Sequence, residues 1–278
     1  MCWGIIFLCG TLVIMVPTKD GFVAAADSRV SNEDQTRFCD EDFKLIEIKQ
    51  GPSRTVATIT GNSGMKGPSH SPDLCNHLRH APTWLDLRSD FKSYIESQTA
   101  SAATLTIAGF RPTVEKALAS LPAAAIPYLK PFANRPFSRL VVASFDPETS
   151  TSWIRYGTLA LATDLKPIIF GETVERIDLD HEKTSYRFGE KDYADRMLAN
   201  GVLARQFRDT GTLRFFRTRE AVRDVTTDRA INVAIDFIEA VSAMTSVFPA
   251  PSGIGGPVDV LFIGRNTRQR IQWKNVPD

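Results

Sequence analysis

Between Gly10 and Arg29 the chain reads GTLVIMVPTKDGFVAAADSR, and no other stretch limits its possible folds as much. Every residue from Leu12 to Val16 is apolar, the pattern of a strand buried on both faces. Lys19-Asp20-Gly21 supplies a tight-turn signal, and Phe22 to Ala26 is a second short apolar run, so the two form a hairpin. Asp27 and Arg29 stand at the end of that run. Residues two apart on an extended strand share a face, so opposite charges are presented together where the apolar run stops. Two further pieces follow, FKLIEI (Phe43 to Ile48) and VATITGNSG (Val56 to Gly64), both with strand character.

Taken singly, these are ordinary features: a threonine opening a strand, a glycine in a turn, a strand-end ion pair, a solvated lysine. Taken in order, they form a pattern. Gly-Thr, an apolar strand, Lys-Asp-Gly, a second strand, Ala-Ala-Asp-Ser-Arg, then Phe-Lys-Leu and a strand ending in Thr-Gly resembles the β-type subunits of proteasomes. More widely, it resembles the N-terminal nucleophile hydrolases. The likeness is dense over residues 10 to 64, about a quarter of the chain, and thinner beyond.

The resemblance implies an α+β fold, a four-layer αββα sandwich of two antiparallel sheets covered by helices. It implies a leader over residues 1–10, a single domain over 11–278, and cleavage at Gly10 that leaves Thr11 as the mature N-terminus. Asp27 would be the buried acid, Arg29 its neighbour, Lys44 the lysine beside the nucleophile, and Gly61 the source of an oxyanion-binding N–H. The substrate would be a peptide or small amide, with no cofactor, and a homo-oligomer is one open assembly state.

The chemistry accounts for those residue types. A threonine hydroxyl is a weak nucleophile, and a free α-amino group on the same residue titrates near neutrality and can serve as its base. Lys44 beside the hydroxyl would lower the pKa of both by like-charge repulsion, while Asp27 would offset the lysine and hold it in place. A glycine before the threonine permits the sharp bend needed for the hydroxyl to attack the preceding carbonyl.

The later chain departs from the pattern. Pro249 to Asp259, PAPSGIGGPVD, resembles the family's late glycine-rich loop through Gly255 and Gly256, but carries no acid upstream of them. The glycine-flanked serine expected after the middle strands is missing, and Ile169-Phe170-Gly171-Glu172 stands there. Ser252 and Glu172 are the candidate substitutes.

A length of 278 residues with 43% hydrophobic content suffices for one substantial core. A net charge of +1, with 33 basic and 32 acidic residues interspersed, leaves no basic stripe for nucleic acid. The apolar run from Met1 to Val16 falls short of the roughly 20 residues of a spanning helix, so no stable membrane span is expected. It is either a propeptide or the remnant of a secretory signal without its charged region.

Cys2 and Cys9 would leave with the leader, and Cys39 and Cys75 would remain. Two reduced thiols would imply cytoplasm, whereas a disulfide would imply an oxidising compartment. Closing a loop of about 35 residues is worth roughly 3 to 4 kcal/mol, which favours the disulfide and an extracytoplasmic location.

The segment after Gly64, KGPSHSPDLCNHLRHAP, reads as an irregular loop near the site. His70, Cys75, His77 and His80 lack a second pair of ligands with zinc spacing, so no metal is expected. Helices are expected over Thr83 to Gln98 with Thr83 as N-cap, Thr113 to Leu121, Asp192 to Asp209, and Thr226 to Val247. Strands are expected over Phe137 to Phe145, Thr151 to Tyr156 and Pro167 to Phe170, with Val258 to Ile263 closing the fold. Two other functional readings stay open beside the hydrolase. One is a catalytically silent scaffold or binding protein on the same fold; the other is a secreted protein trimmed by signal peptidase.

Overall fold

The computed structural model describes residues 6–7, 11–31, 38–49, 54–98, 104–182, 184–189, 191–199, 201, 205–247, 254–265 and 268–273. Its early strands are β1 (Ile6–Phe7), β2 (Leu12–Thr18), β3 (Gly21–Asp27), β4 (Val30–Ser31), β5 (Phe38–Cys39), β6 (Leu45–Ile48), β7 (Thr55–Gly61), β8 (Gly64–Lys66) and β9 (Thr83–Asp86). The later strands are β10 (Arg135–Asp146), β11 (Thr151–Leu161), β12 (Pro167–Ile177), β13 (Tyr186–Gly189), β14 (Val258–Gly264) and β15 (Arg268–Trp273). The helices are α1 (Leu74–His80), α2 (Leu87–Ser97), α3 (Arg111–Ala119), α4 (Ile126–Leu129), α5 (Lys191–Ala199), α6 (Thr210–Arg217) and α7 (Thr227–Val247).

This is a mixed α and β protein with antiparallel sheets. One five-stranded sheet runs β13-β2-β3-β14-β15 and the other β12-β11-β10-β7-β6, with β1-β8-β9 and β4-β5 as smaller sheets. The alternation along β2 explains its unbroken apolar sequence. Leu12, Ile14 and Val16 pack with Val233, Phe237 and Val241 of α7, while Val13 and Met15 pack with Val56, Val141 and Phe145 of the other sheet. Successive side chains therefore leave on opposite faces and both faces are dry. The second sheet repeats the pattern. Its Ile59, Leu140 and Val142 pack with Phe91 and Ile95 of α2 and Val114 of α3.

The strands expected at Thr151 to Tyr156 and Pro167 to Phe170 run on to Leu161 and Ile177, and α3 covers Arg111–Ala119 rather than Thr113 to Leu121. Four other expectations fail for a local reason. Thr83 does not cap a helix: Thr83 to Asp86 pair with β8, and the helix begins at Leu87, where the Asp86 carboxylate accepts from Ser89 N at 3.1 Å. The segment after Gly64 is not irregular throughout, because Asp73 caps α1 by accepting from Asn76 N at 2.7 Å. Asp192 to Asp209 is not one helix: α5 stops at Ala199, and Asp209 instead caps α6 through Gly211 N at 2.8 Å. Val258 to Ile263 does not close the fold, since β15 pairs along β14. Among the described residues no helix is long and apolar enough to cross a membrane.

Candidate active site

The site is built at the end of β3, where Asp27 sits opposite Val258 of β14. Its side chain is fully buried, as is that of Lys44, which immediately precedes β6. One carboxylate gathers the surrounding backbone. Oδ1 accepts the Leu12 N–H at 2.7 Å; Oδ2 accepts Lys44 Nζ at 2.9 Å and the N–H groups of Arg29 and Gly255 at 3.3 Å each. Lys44 Nζ also donates to the Arg29 carbonyl, and the Lys44 carbonyl accepts from Thr58 Oγ1 at 3.0 Å. Asp27 thus joins the peptide between Thr11 and Leu12 to the lysine ammonium. Thr11 itself is 2% exposed.

Burial dominates the electrostatics of this pair. Loss of water pushes the Asp27 carboxyl up, against the pull of Lys44 and the backbone N–H donors. The same loss pushes the Lys44 ammonium down, against the pull of Asp27. Burial thus disfavours the charged form of each group, and the contact between them and the backbone N–H donors oppose that cost. A lysine of this kind can tune or exchange a proton with a neighbouring hydroxyl, which a solvated surface lysine does not do.

Arg29 adjoins Asp27 through its backbone, and its side chain does not pair with that acid. Asp27 is the last residue of β3, so the strand alternation does not carry on to Arg29. The guanidinium turns instead to Asp40, with Nε to Oδ1 at 2.7 Å and a second bond to Oδ2 at 2.9 Å. Only the backbone of Arg29 meets Asp27 and Lys44. Gly255 also reaches this group, with Arg29 N donating to its carbonyl at 3.0 Å. A Cβ on Gly255 would lie 2.4 Å from the Arg29 guanidinium carbon, so a side chain there would displace the guanidinium.

Gly189 was not apparent in the sequence, yet it lies against Thr11. It pairs with Leu12, has φ +82°, and a Cβ there would stand 1.8 Å from the Thr11 carbonyl oxygen. The segment that approaches Thr11 after the middle strands is therefore Phe188-Gly189, not Gly171-Glu172. The available signal was a lone glycine between the strand-like Tyr186 to Phe188 and a helical pattern. Glu172 is engaged elsewhere, accepting from Ile107 N at 3.0 Å and Ala108 N at 3.1 Å and pairing with Arg155 at 3.2 Å. Gly61 ends β7 opposite Ser138 with φ +85°. Its neighbour Thr60 lies 3.4 Å from the same Cβ position on Gly189, which brings the end of β7 to the Thr11 region. Gly10 and Ser252 lie outside the described residues.

Cys39 and Cys75 are joined, with sulfurs 2.09 Å apart. Their sulfurs and a Glu41 carboxylate oxygen lie within 4.8 Å of one another, but the disulfide leaves no thiolate for a metal. His77 is buried with Nε2 2.9 Å from the Gly67 carbonyl, so two of the four candidate ligands are held in other ways.

A cleft of about 640 Å³ opens beside this group. Thr11, Asp27 and Lys44 do not line it, but Val30, Phe43 and Leu45 do, and these directly follow Arg29 or flank Lys44. The cleft and the buried pair therefore share one wall of chain.

No protein-family model matches the chain, and no curated protein matches it in sequence. Among solved structures the chain is similar to an Anbu (Gly-1) mutant from Hyphomicrobium sp. strain MC1, with 14% identity over 97% of this chain and 90% of that one, at a TM-score of 0.45.

Proposed function

We propose that this protein is an amide-bond hydrolase, a peptidase or an amidase of small amides, with Thr11 as an N-terminal nucleophile exposed by cleavage at Gly10-Thr11. The observation that carries this reading is the single buried carboxylate of Asp27 that bonds both Leu12 N and Lys44 Nζ, at 2.7 and 2.9 Å. A merely structural strand end has no need to bury a lysine fully and tie it to the peptide of a hydroxyl residue, because that desolvation is costly. The α+β arrangement, with α7 on one sheet and α2 and α3 on the other, suits the four-layer αββα sandwich implied by the sequence pattern. Residues 11–278 would then form one domain and residues 1–10 its leader.

In self-cleavage, Thr11 Oγ attacks the Gly10 carbonyl carbon, the peptide nitrogen departs as the Thr11 amine, and water hydrolyses the resulting ester to free the Gly10 carboxylate. In turnover the Thr11 amine takes the hydroxyl proton as Oγ attacks the substrate carbonyl. The Gly61 N–H steadies the oxyanion, the proton passes to the leaving amine, and water releases the acyl group. Lys44, its ammonium disfavoured by burial, lowers the cost of forming the nucleophile. Intact mass of the purified chain and of Thr11→Ala tests the first step. The wild type should begin at Thr11 and the variant should keep residues 1–10; a leader lost equally from both would exclude self-processing.

A second reading, a catalytically silent scaffold or binding protein, draws support from Glu172. That residue is committed to Ile107, Ala108 and Arg155, so it offers no acid to the site. A chain that keeps residues 1–10 and hydrolyses no amide would favour it.

A further inference from the structure

The cleft beside Lys44 carries more positive than negative charge. Six cationic side chains and four carboxylates line it. Glu41 and Asp42 are taken by Arg79 and Arg88, and Asp86 is committed to the start of α2, accepting from Ser89 N and Oγ. Glu47 is the fourth carboxylate. Arg270 turns to the Leu45 carbonyl at 2.9 Å and to Asp259 at 3.4 Å. Lys49, Lys66 and Lys92, which stand just after β6, on β8 and on α2, enter no ion pair among the described residues. Lys66 Nζ donates instead to the neutral Thr83 Oγ1 at 2.7 Å. Between these cations the floor is apolar, with Leu45, Leu78 and Leu85. A concave, low-dielectric wall focuses the field of charges that surround it.

We propose that this cleft selects an acidic side chain, glutamate or aspartate, of a peptide substrate held beside Lys44; the inference rests on the reading of Thr11 as a hydrolase nucleophile. Lysines from three separate elements converge on one concavity whose own carboxylates are largely committed. An incoming carboxylate therefore meets cations without displacing a resident partner. An incoming lysine side chain meets like charge.

The test uses the purified full-length chain and three labelled peptides identical except for Glu, Gln or Lys at one position, read by fluorescence anisotropy. The Glu peptide should bind roughly tenfold tighter than the Lys peptide at low salt, the scale expected from a few partly exposed charge pairs. The difference should narrow at high salt. It should vanish in a Lys66→Gln, Lys92→Gln pair and reverse in Lys66→Glu, Lys92→Glu; the neutral pair guards against a reversal that fails to fold. Equal affinity for the Glu and Lys peptides, or a preference that survives neutralisation, would overturn the proposal. Turnover separates the two readings. Hydrolysis without acidic preference removes this inference and keeps the Thr11 chemistry, whereas acidic preference in binding without turnover of any amide does the opposite.

Discussion

Asp27 and Lys44 meet at 2.9 Å with both side chains fully removed from solvent, and the partners of each are unequal. Asp27 accepts from three backbone N–H groups as well as from the lysine, so its charge is supported on several sides. The lysine donates to the acid and to the Arg29 carbonyl. This asymmetry orders the effects of substitution.

Asp27→Ala should destabilise by about 3 to 5 kcal/mol, since it strands a buried ammonium and removes the carboxylate acceptor of the Leu12 and Gly255 N–H groups, while the Arg29 N–H keeps the Gly255 carbonyl. Lys44→Met should cost less, because the carboxylate keeps its backbone donors, yet it should abolish turnover and slow release of residues 1–10. Urea midpoints and intact mass check the two effects together. Equal, small losses of stability with activity retained would return the pair to an ordinary buried ion pair.

Gly189→Ala tests the contact behind Thr11. The new methyl would lie 1.8 Å from the Thr11 carbonyl oxygen on a backbone with φ +82°, so either β13 or Thr11 must move. Residues 1–10 should then be removed more slowly than from the wild type, a difference that a time course of intact mass would resolve. Cleavage at an unchanged rate would show that the β13 edge does not set the position of Thr11.

Much of this site was legible because its parts are local. The buried hairpin, Asp27 at its end and Lys44 at the head of the next strand are read from short runs whose alternation and turn chemistry are sequence properties. Asp40 was not legible. It belongs to the consecutive acids Asp40, Glu41 and Asp42, which pair with Arg29, Arg79 and Arg88 respectively. Nothing in the run itself says which acid meets which arginine, because that depends on where α1 and α2 place Arg79 and Arg88. Gly189 was missed for a similar reason: its role follows from β13 joining the edge of β2, a pairing between residues far apart in the chain. The helix start expected at Thr83 and the helix end expected at Asp209 show the same limit. A tertiary pairing with β8 overrode helical periodicity at Thr83, and Asp209 caps α6 rather than ending α5.

Asp259 makes stability depend on pH. It is 1% exposed on β14, neither carboxylate oxygen has a hydrogen-bond partner among the described residues, and burial raises its pKa from 3.8 to about 6 against the weaker pull of Arg270. Below pH 4 the group is neutral folded and unfolded. Between 4 and 6 the folded chain holds a proton that the unfolded chain has lost, so this site's contribution falls as pH rises and is gone above about 6. Asp259→Asn should be more stable than the wild type at pH 7, by roughly 3 kcal/mol at most, and the gap should close at pH 4. Melting temperatures of the two proteins that stay parallel from pH 4 to 7 would contradict the assignment.

The disulfide should govern activity as well as stability. Cys39 adjoins Asp40, Asp40 holds the Arg29 guanidinium by two bonds, and the Arg29 backbone contributes both its N–H and its carbonyl to the Asp27 and Lys44 group. The bond between Cys39 and Cys75 spans 36 positions, so its reduction should lower stability by roughly 3 to 4 kcal/mol through the freed chain. It should also loosen Asp40 and, through Arg29, the acceptor that steadies Lys44. Two measurements separate these effects. With the disulfide intact, Asp40→Asn should lower turnover while shifting the melting temperature little, since the Arg29 pair is partly exposed. A Cys39→Ala, Cys75→Ala protein assayed well below its melting temperature should show the same loss of turnover. Full activity in both variants would confine the disulfide to holding the chain together and cut the link from Cys39 to Lys44.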